Sequence, residues 1–99
     1  MAEPYGTVMI ARLAVPFEQL VASQESWRAR HVPGFVTESL LLADDGKTVV
    51  MSVVFESKQA YQSLSDDPGQ DEWWRTVARP MLEDDPQWID GRWANVAGG

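Results

Sequence analysis

Cysteine is absent from the 99 residues, which excludes disulfides, thiolate metal sites and a cysteine nucleophile together. Basic residues are scarce. Eight Lys and Arg stand against fifteen Asp and Glu, for a net charge of −7. Such a surface repels a phosphate backbone, so nucleic acid is not an expected partner. The longest apolar runs extend only a few residues, far short of the ~20 needed to span a bilayer. No membrane association is expected. The opening Met1-Ala2-Glu3-Pro4 has neither the basic nor the apolar segment of a secretory signal, so a cytoplasmic protein is the expectation. Phosphate-cradling glycine loops, a nucleophile elbow and a zinc-helix motif are all missing. The acids Asp66-Asp67, Asp71-Glu72 and Glu83-Asp84-Asp85 lack the spacing and central glycine of a calcium loop, and read as solvated surface.

What is present is ordinary for one globular domain: 44% hydrophobic and 23% charged residues. Five tryptophans in so short a chain are the exception.

Thr7 to Val15 is nearly all apolar and ends at Pro16, as a strand does, and both its faces are apolar. From Phe17 the period becomes helical: Phe17, Leu20, Val21, Gln24 and Trp27 share a face, and Pro33-Gly34 stops the helix near His31. Phe35 to Ala43 and Lys47 to Phe55 form a hairpin around Asp44-Asp45-Gly46, where glycine accepts the positive φ of the turn. Ser57 caps a helix over Lys58 to Leu64, and Asp67-Pro68-Gly69 breaks it. A third helix begins near Gln70 with Trp73, Trp74, Val77, Ala78 and Met81 on one side and a kink at Pro80. Gln87 to Val96 is the last strand, with Trp88 and Trp93 on opposite faces, and Gly98-Gly99 reads as a loose tail.

The order β-α-β-β-α-α-β is the α+β, ferredoxin-like split βαβ plan, a four-stranded antiparallel sheet with helices on one face. The other face carries too many apolar side chains to stay wet. A second copy of the chain, packed sheet to sheet, is the expected cover, making a homodimer.

Pro33-Gly34-Phe35-Val36, the Asp44-Asp45-Gly46 turn and Phe55-Glu56-Ser57-Lys58-Gln59-Ala60-Tyr61 resemble the antibiotic-biosynthesis-monooxygenase-like group, over about Val8 to Trp93. That resemblance implies a dimeric α/β barrel with a pocket between sheet and helices. The group includes cofactor-free oxygenases of phenolic polyketides, haem-degrading enzymes, and related barrels that cyclise or isomerise. The haem-degrading branch places an asparagine, a tryptophan and a histidine where this chain has Ala11, Leu64 and Trp74, so haem breakdown is not implied. No cofactor is expected.

A cofactor-free oxygenase binds an electron-rich phenol and stabilises its deprotonated form with preorganised donors. Arg12, His31 and Arg92 are the candidates for that role, and Trp27, Trp73 and Trp74 for the walls. Each has a plainer reading. His31 is either a pocket donor or a helix-terminal residue favoured by the macrodipole. Arg12 faces either a ligand anion or an acid such as Asp90, Glu38 or one on a partner copy, and Arg92 is open in the same way. The tryptophans serve a core as readily as a ligand wall. Adjacent Trp73 and Trp74 diverge on a helix by ~100°, so one is expected on the sheet and one over the helix pair. The sequence leaves open an oxygenase, a non-catalytic carrier of a hydrophobic ligand, and a cyclase or isomerase.

Overall fold

The computed structural model describes residues 3–96, and the Gly98-Gly99 tail lies outside them. Strand β1 (Tyr5–Arg12) pairs antiparallel with β3 (Thr48–Phe55) on one side and β4 (Gln87–Arg92) on the other. Strand β2 (Phe35–Leu42) pairs with β3, so the order across the sheet is β2-β3-β1-β4. The split βαβ plan is the observed one.

Alternation divides the sheet into two faces. Met9 and Ala11 of β1 and Val49, Met51, Val53 and Phe55 of β3 are buried. They meet Leu20 and Trp27 of helix α1 (Phe17–Arg28), and Ala78, Met81 and Leu82 further along the chain. The opposite face carries the rows Leu41–Val50–Ile10 and Val8–Ile89, with Leu41 61% and Ile89 51% exposed.

Strand β1 starts before Thr7 and stops at Arg12, not Val15. Beyond Arg12 the strand ends: the Leu13 N–H still donates to the Lys47 carbonyl at 2.8 Å, and Leu13 forms an isolated bridge to Leu82. Strand β4 likewise stops at Arg92, although the Trp93 N–H still donates to the Pro4 carbonyl at 2.9 Å. By register Trp93 lies opposite in face to Trp88. Its indole N–H donates across the sheet to the Val53 carbonyl at 3.2 Å.

The β2–β3 turn rests on Asp45. Its carboxylate accepts from the Lys47 and Thr48 N–H groups, both at 2.8 Å, and from the Thr48 hydroxyl at 2.7 Å. Gly46 there takes φ +73°. Ser57 caps α2 (Lys58–Ser65) by accepting from the Ala60 N–H at 3.1 Å.

Helix α3 (Pro68–Trp73) begins earlier than the periodicity indicates. Asp67-Pro68-Gly69 ends one helix and starts the next: the Asp67 carboxylate accepts from the Gly69 N–H at 3.1 Å, and proline suits a first helical position. The kink expected at Pro80 is replaced by a five-residue π-helical turn, Trp74–Ala78, followed by a 3-10 turn, Arg79–Met81.

Candidate functional site

A cavity of about 410 Å³ lies between the inner face of the sheet and the helices, within the ~300–1,000 Å³ typical of small-molecule sites. Its floor follows from register. Glu38 of β2 opposes Val53, Val53 opposes Thr7, and Thr7 opposes Asp90 of β4, so these four form one row across all four strands. Three strand spacings put the row's ends roughly 14 Å apart. The neighbouring row is Leu40, Met51, Met9 and Trp88.

Helices supply the rest. Leu20, Gln24 and Trp27 come from α1, Tyr61 and Leu64 from α2, and Gln70, Asp71 and Trp73 from α3. Trp74 follows from the π-turn. Aromatic rings dominate this lining. Trp27 meets Phe35 edge-on at 5.3 Å, Phe55 and Tyr61 lie 5.6 Å apart, and Trp74 tilts against Trp88 at 5.2 Å.

Trp27, Trp73 and Trp74 all line the cavity. Trp74 reaches the sheet through Trp88, while Trp73 faces the same space from the end of α3. The π-turn between α3 and Ala78 admits an extra residue per turn, which shifts the phase of the helix where the two indoles meet the cavity. Trp88, which the sequence places only on a strand face, is a fourth wall.

The three expected donors lie elsewhere. Arg12 is on the opposite alternation of β1 from Thr7 and Met9, and pairs with Glu83 at 3.4 Å rather than with Asp90 or Glu38. His31 follows α1 in the left-handed region, with φ 53°, and is exposed outside the cavity. Arg92 shares Asp90's face of β4 but stands one row further, opposite Tyr5, where Glu3 holds it at 3.1 Å.

The cavity's polar groups are instead amides, a phenol and acids. Gln24 is 9% exposed, and its amide makes no hydrogen bond to another described residue. The Trp27 indole donates to the Gln70 carbonyl oxygen at 2.9 Å, which leaves the Gln70 NH₂ free to donate. The Tyr61 hydroxyl donates to Asp90 Oδ1 at 3.0 Å. Burial, and then the bond to Asp90, push the Tyr61 phenol up to about 12, so it stays a neutral donor. Glu38 has its side chain 8% exposed and meets Arg28 at 3.4 Å. Burial raises its carboxyl above the ordinary glutamate value, with Arg28 opposing. The sequence offers Asp90 and Glu38 only as partners for Arg12, because what joins them in the cavity is the register of strands far apart in the chain. Among the described residues no group of three or more His, Asp or Glu is arranged to hold a metal ion. No helix there is long and apolar enough to cross a membrane.

A monooxygenase of Streptomyces coelicolor, solved with nanaomycin D, superposes with TM-score 0.74 at 23% identity, over 98% of this chain and 93% of that one. The cofactor-independent oxygenase SnoaB of Streptomyces nogalater gives TM-score 0.72 at 19% identity, over 98% and 97%. This chain has the antibiotic biosynthesis monooxygenase fold. The hydroxynitrile lyase of Passiflora edulis shares that fold too, with TM-score 0.72 at 12% identity over 99% of this chain and all of the other. No protein-family model matches this sequence, and no curated protein matches it either.

Proposed function

We propose that the protein is a cofactor-independent monooxygenase acting on an aromatic, polyketide-like phenol, and that it works as a homodimer. The observation that carries the reading is the 410 Å³ cavity walled by Trp27, Trp73, Trp74 and Trp88, in a fold shared with cofactor-independent oxygenases. The substrate itself supplies the electrons. One oxygen atom of O₂ enters a ring carbon as a carbonyl, and the other leaves as water with two substrate hydrogens. The chain's part is to stack the ring system and to hydrogen-bond the developing oxyanion from the amides of Gln24 and Gln70. Leu41 and Ile89, more than half exposed on the opposite face of the sheet, support a second copy as the cover of that face.

Oxygen uptake tests this directly. A panel of anthrones, naphthols and quinols is screened for binding by calorimetry, and the binders are then followed with an oxygen electrode. Turnover that falls tenfold or more in Gln24→Leu, with binding retained, supports the reading. Binding without oxygen consumption by any phenol refutes it.

A second reading, a non-catalytic carrier of an aromatic ligand, is favoured by one observation. Among the described residues no Lys, Arg or His lines the cavity to stabilise a phenolate. Oxygen-independent conversion of a bound phenol would instead mark a cyclase or isomerase.

A further inference from the structure

The charge inside the cavity is one-sided. Among the described residues three carboxylates, Glu38, Asp71 and Asp90, line it, and no cationic side chain does. Two of the three are already matched: Glu38 meets Arg28 at 3.4 Å, and Asp71 meets Arg75 at 3.0 Å. Asp90 has no cationic partner among the described residues and receives only the Tyr61 hydroxyl. It stands one alternation from Trp88 on the same face of β4, and Trp88, 44% exposed, tilts against Trp74. An uncompensated carboxylate beside two indole faces at the mouth of an aromatic cavity is the arrangement that holds an organic ammonium. The carboxylate attracts the charge, and the indole quadrupoles attract its N–H and C–H groups. At the buried end lie Trp27 and the Gln24 amide, which has no hydrogen-bond partner among the described residues, suited to a flat ring bearing one polar substituent. The chain's net charge of −7 draws cations toward this mouth and repels anions from it.

We infer that the ligand of this cavity is an aromatic molecule carrying a protonated amine, with the ring system inside against Trp27 and Trp73 and the ammonium at Asp90 beside the Trp74–Trp88 pair. The inference rests on the reading of the cavity as an aromatic binding site and adds the charge of what enters it. An aromatic carboxylate of the same size is excluded by the same groups.

Three naphthalene probes of one shape test it: the 1-methylamine, cationic at neutral pH, the uncharged 1-methanol, and the anionic 1-carboxylate. Calorimetry on the full chain is expected to rank them amine, alcohol, carboxylate, with the amine about tenfold tighter than the alcohol. Asp90→Asn keeps an acceptor for Tyr61. It should bring the amine to within about twofold of the alcohol while leaving the alcohol's affinity unchanged. Asp44→Asn alters the net charge identically at the distant exposed hairpin turn, and should leave the ranking as it is. Equal affinity for amine and alcohol, or equal weakening of both in Asp90→Asn, overturns the inference while leaving the aromatic cavity standing. The same holds for loss of the amine preference in Asp44→Asn. Failure of all three probes to bind overturns both.

Discussion

Gly6 and Gly91 face each other across β1 and β4, yet a methyl group added to each meets entirely different surroundings. At Gly6 the new Cβ would lie 1.8 Å from the Val53 carbonyl oxygen and 2.8 Å from the Trp93 indole nitrogen. The first of these is backbone in the central strand β3 and has no rotamer to change. Gly6→Ala must therefore spread β1 from β3 or shift both. Overpacking of a rigid site costs about 1–3 kcal/mol, and loss of the Trp93–Val53 bond adds ~1 kcal/mol. A net loss of about 3 kcal/mol lowers Tm by roughly 12–24 °C in a domain of this size. At Gly91 nothing lies within 4 Å of the added Cβ. Gly91→Ala should stay within ~0.5 kcal/mol of the parent, or gain slightly through the less flexible unfolded chain. Thermal and urea unfolding followed by far-ultraviolet circular dichroism compare the two. If the two variants melt within a few degrees of each other, the close approach at Gly6 is not what limits that position.

Other perturbations probe other parts of the fold. Hydrogen bonds from the Thr48 backbone and hydroxyl, and from the Lys47 N–H, hold Asp45 at about 2, below its ordinary 3.8. Its contribution to stability is therefore present above 3.8 and lost as pH falls toward about 2. Asp45→Asn should be less stable than the parent at neutral pH, with the gap in Tm closing in that acid window; a gap independent of pH would contradict the assignment. Glu38 has the opposite sign: burial, opposed by Arg28, raises its pKa, so its ionisation works against the fold as pH climbs past 4.5. Stability of Glu38→Gln relative to the parent should rise over that range, and a falling difference would show that the Arg28 pair outweighs burial. His31→Gly removes the cost of a left-handed histidine, and denaturant unfolding should show stability unchanged or up to about 1 kcal/mol higher. Ligand affinity should not change in that variant, since His31 lies outside the cavity. Trp27→Phe strands the Gln70 carbonyl oxygen and should cost about 1–3 kcal/mol by the same measurement, whereas a neutral result would mean water replaces the indole.

The elements legible in the chain were those whose signals are local. Ser57 caps where its position before Lys58 indicates, and Asp44-Asp45-Gly46 turns the hairpin. The two apolar faces of β1 and β3 appear as one buried face and one half-open one. What escaped depends on distance along the chain. Arg12 resembled a ligand-facing cation because it interrupts an apolar strand, but alternation turns it away from Thr7 and Met9 to Glu83. Glu38 and Asp90 are separated by the hairpin and two helices, and only the registers of three strand pairs bring them into one row. The π-turn after α3 has no residue that announces it. Both Trp74 and Ala78 are compatible with an ordinary helix, and the turn is visible only in the fold, where Trp74 lies against Trp88 of β4.

The sheet sorts the five indoles into two populations with separate optical addresses. Four of them, at 27, 73, 74 and 88, border the cavity, and their emission responds to whatever occupies it. Trp93 lies beyond the β-strand floor, bonded to the Val53 carbonyl on the far face, and is blind to the cavity's contents. Its emission answers to the covering of that face. A Trp93→Phe variant would remove the far-face signal and leave the four cavity indoles alone to report ligand entry, and the difference from the parent isolates what the far face senses.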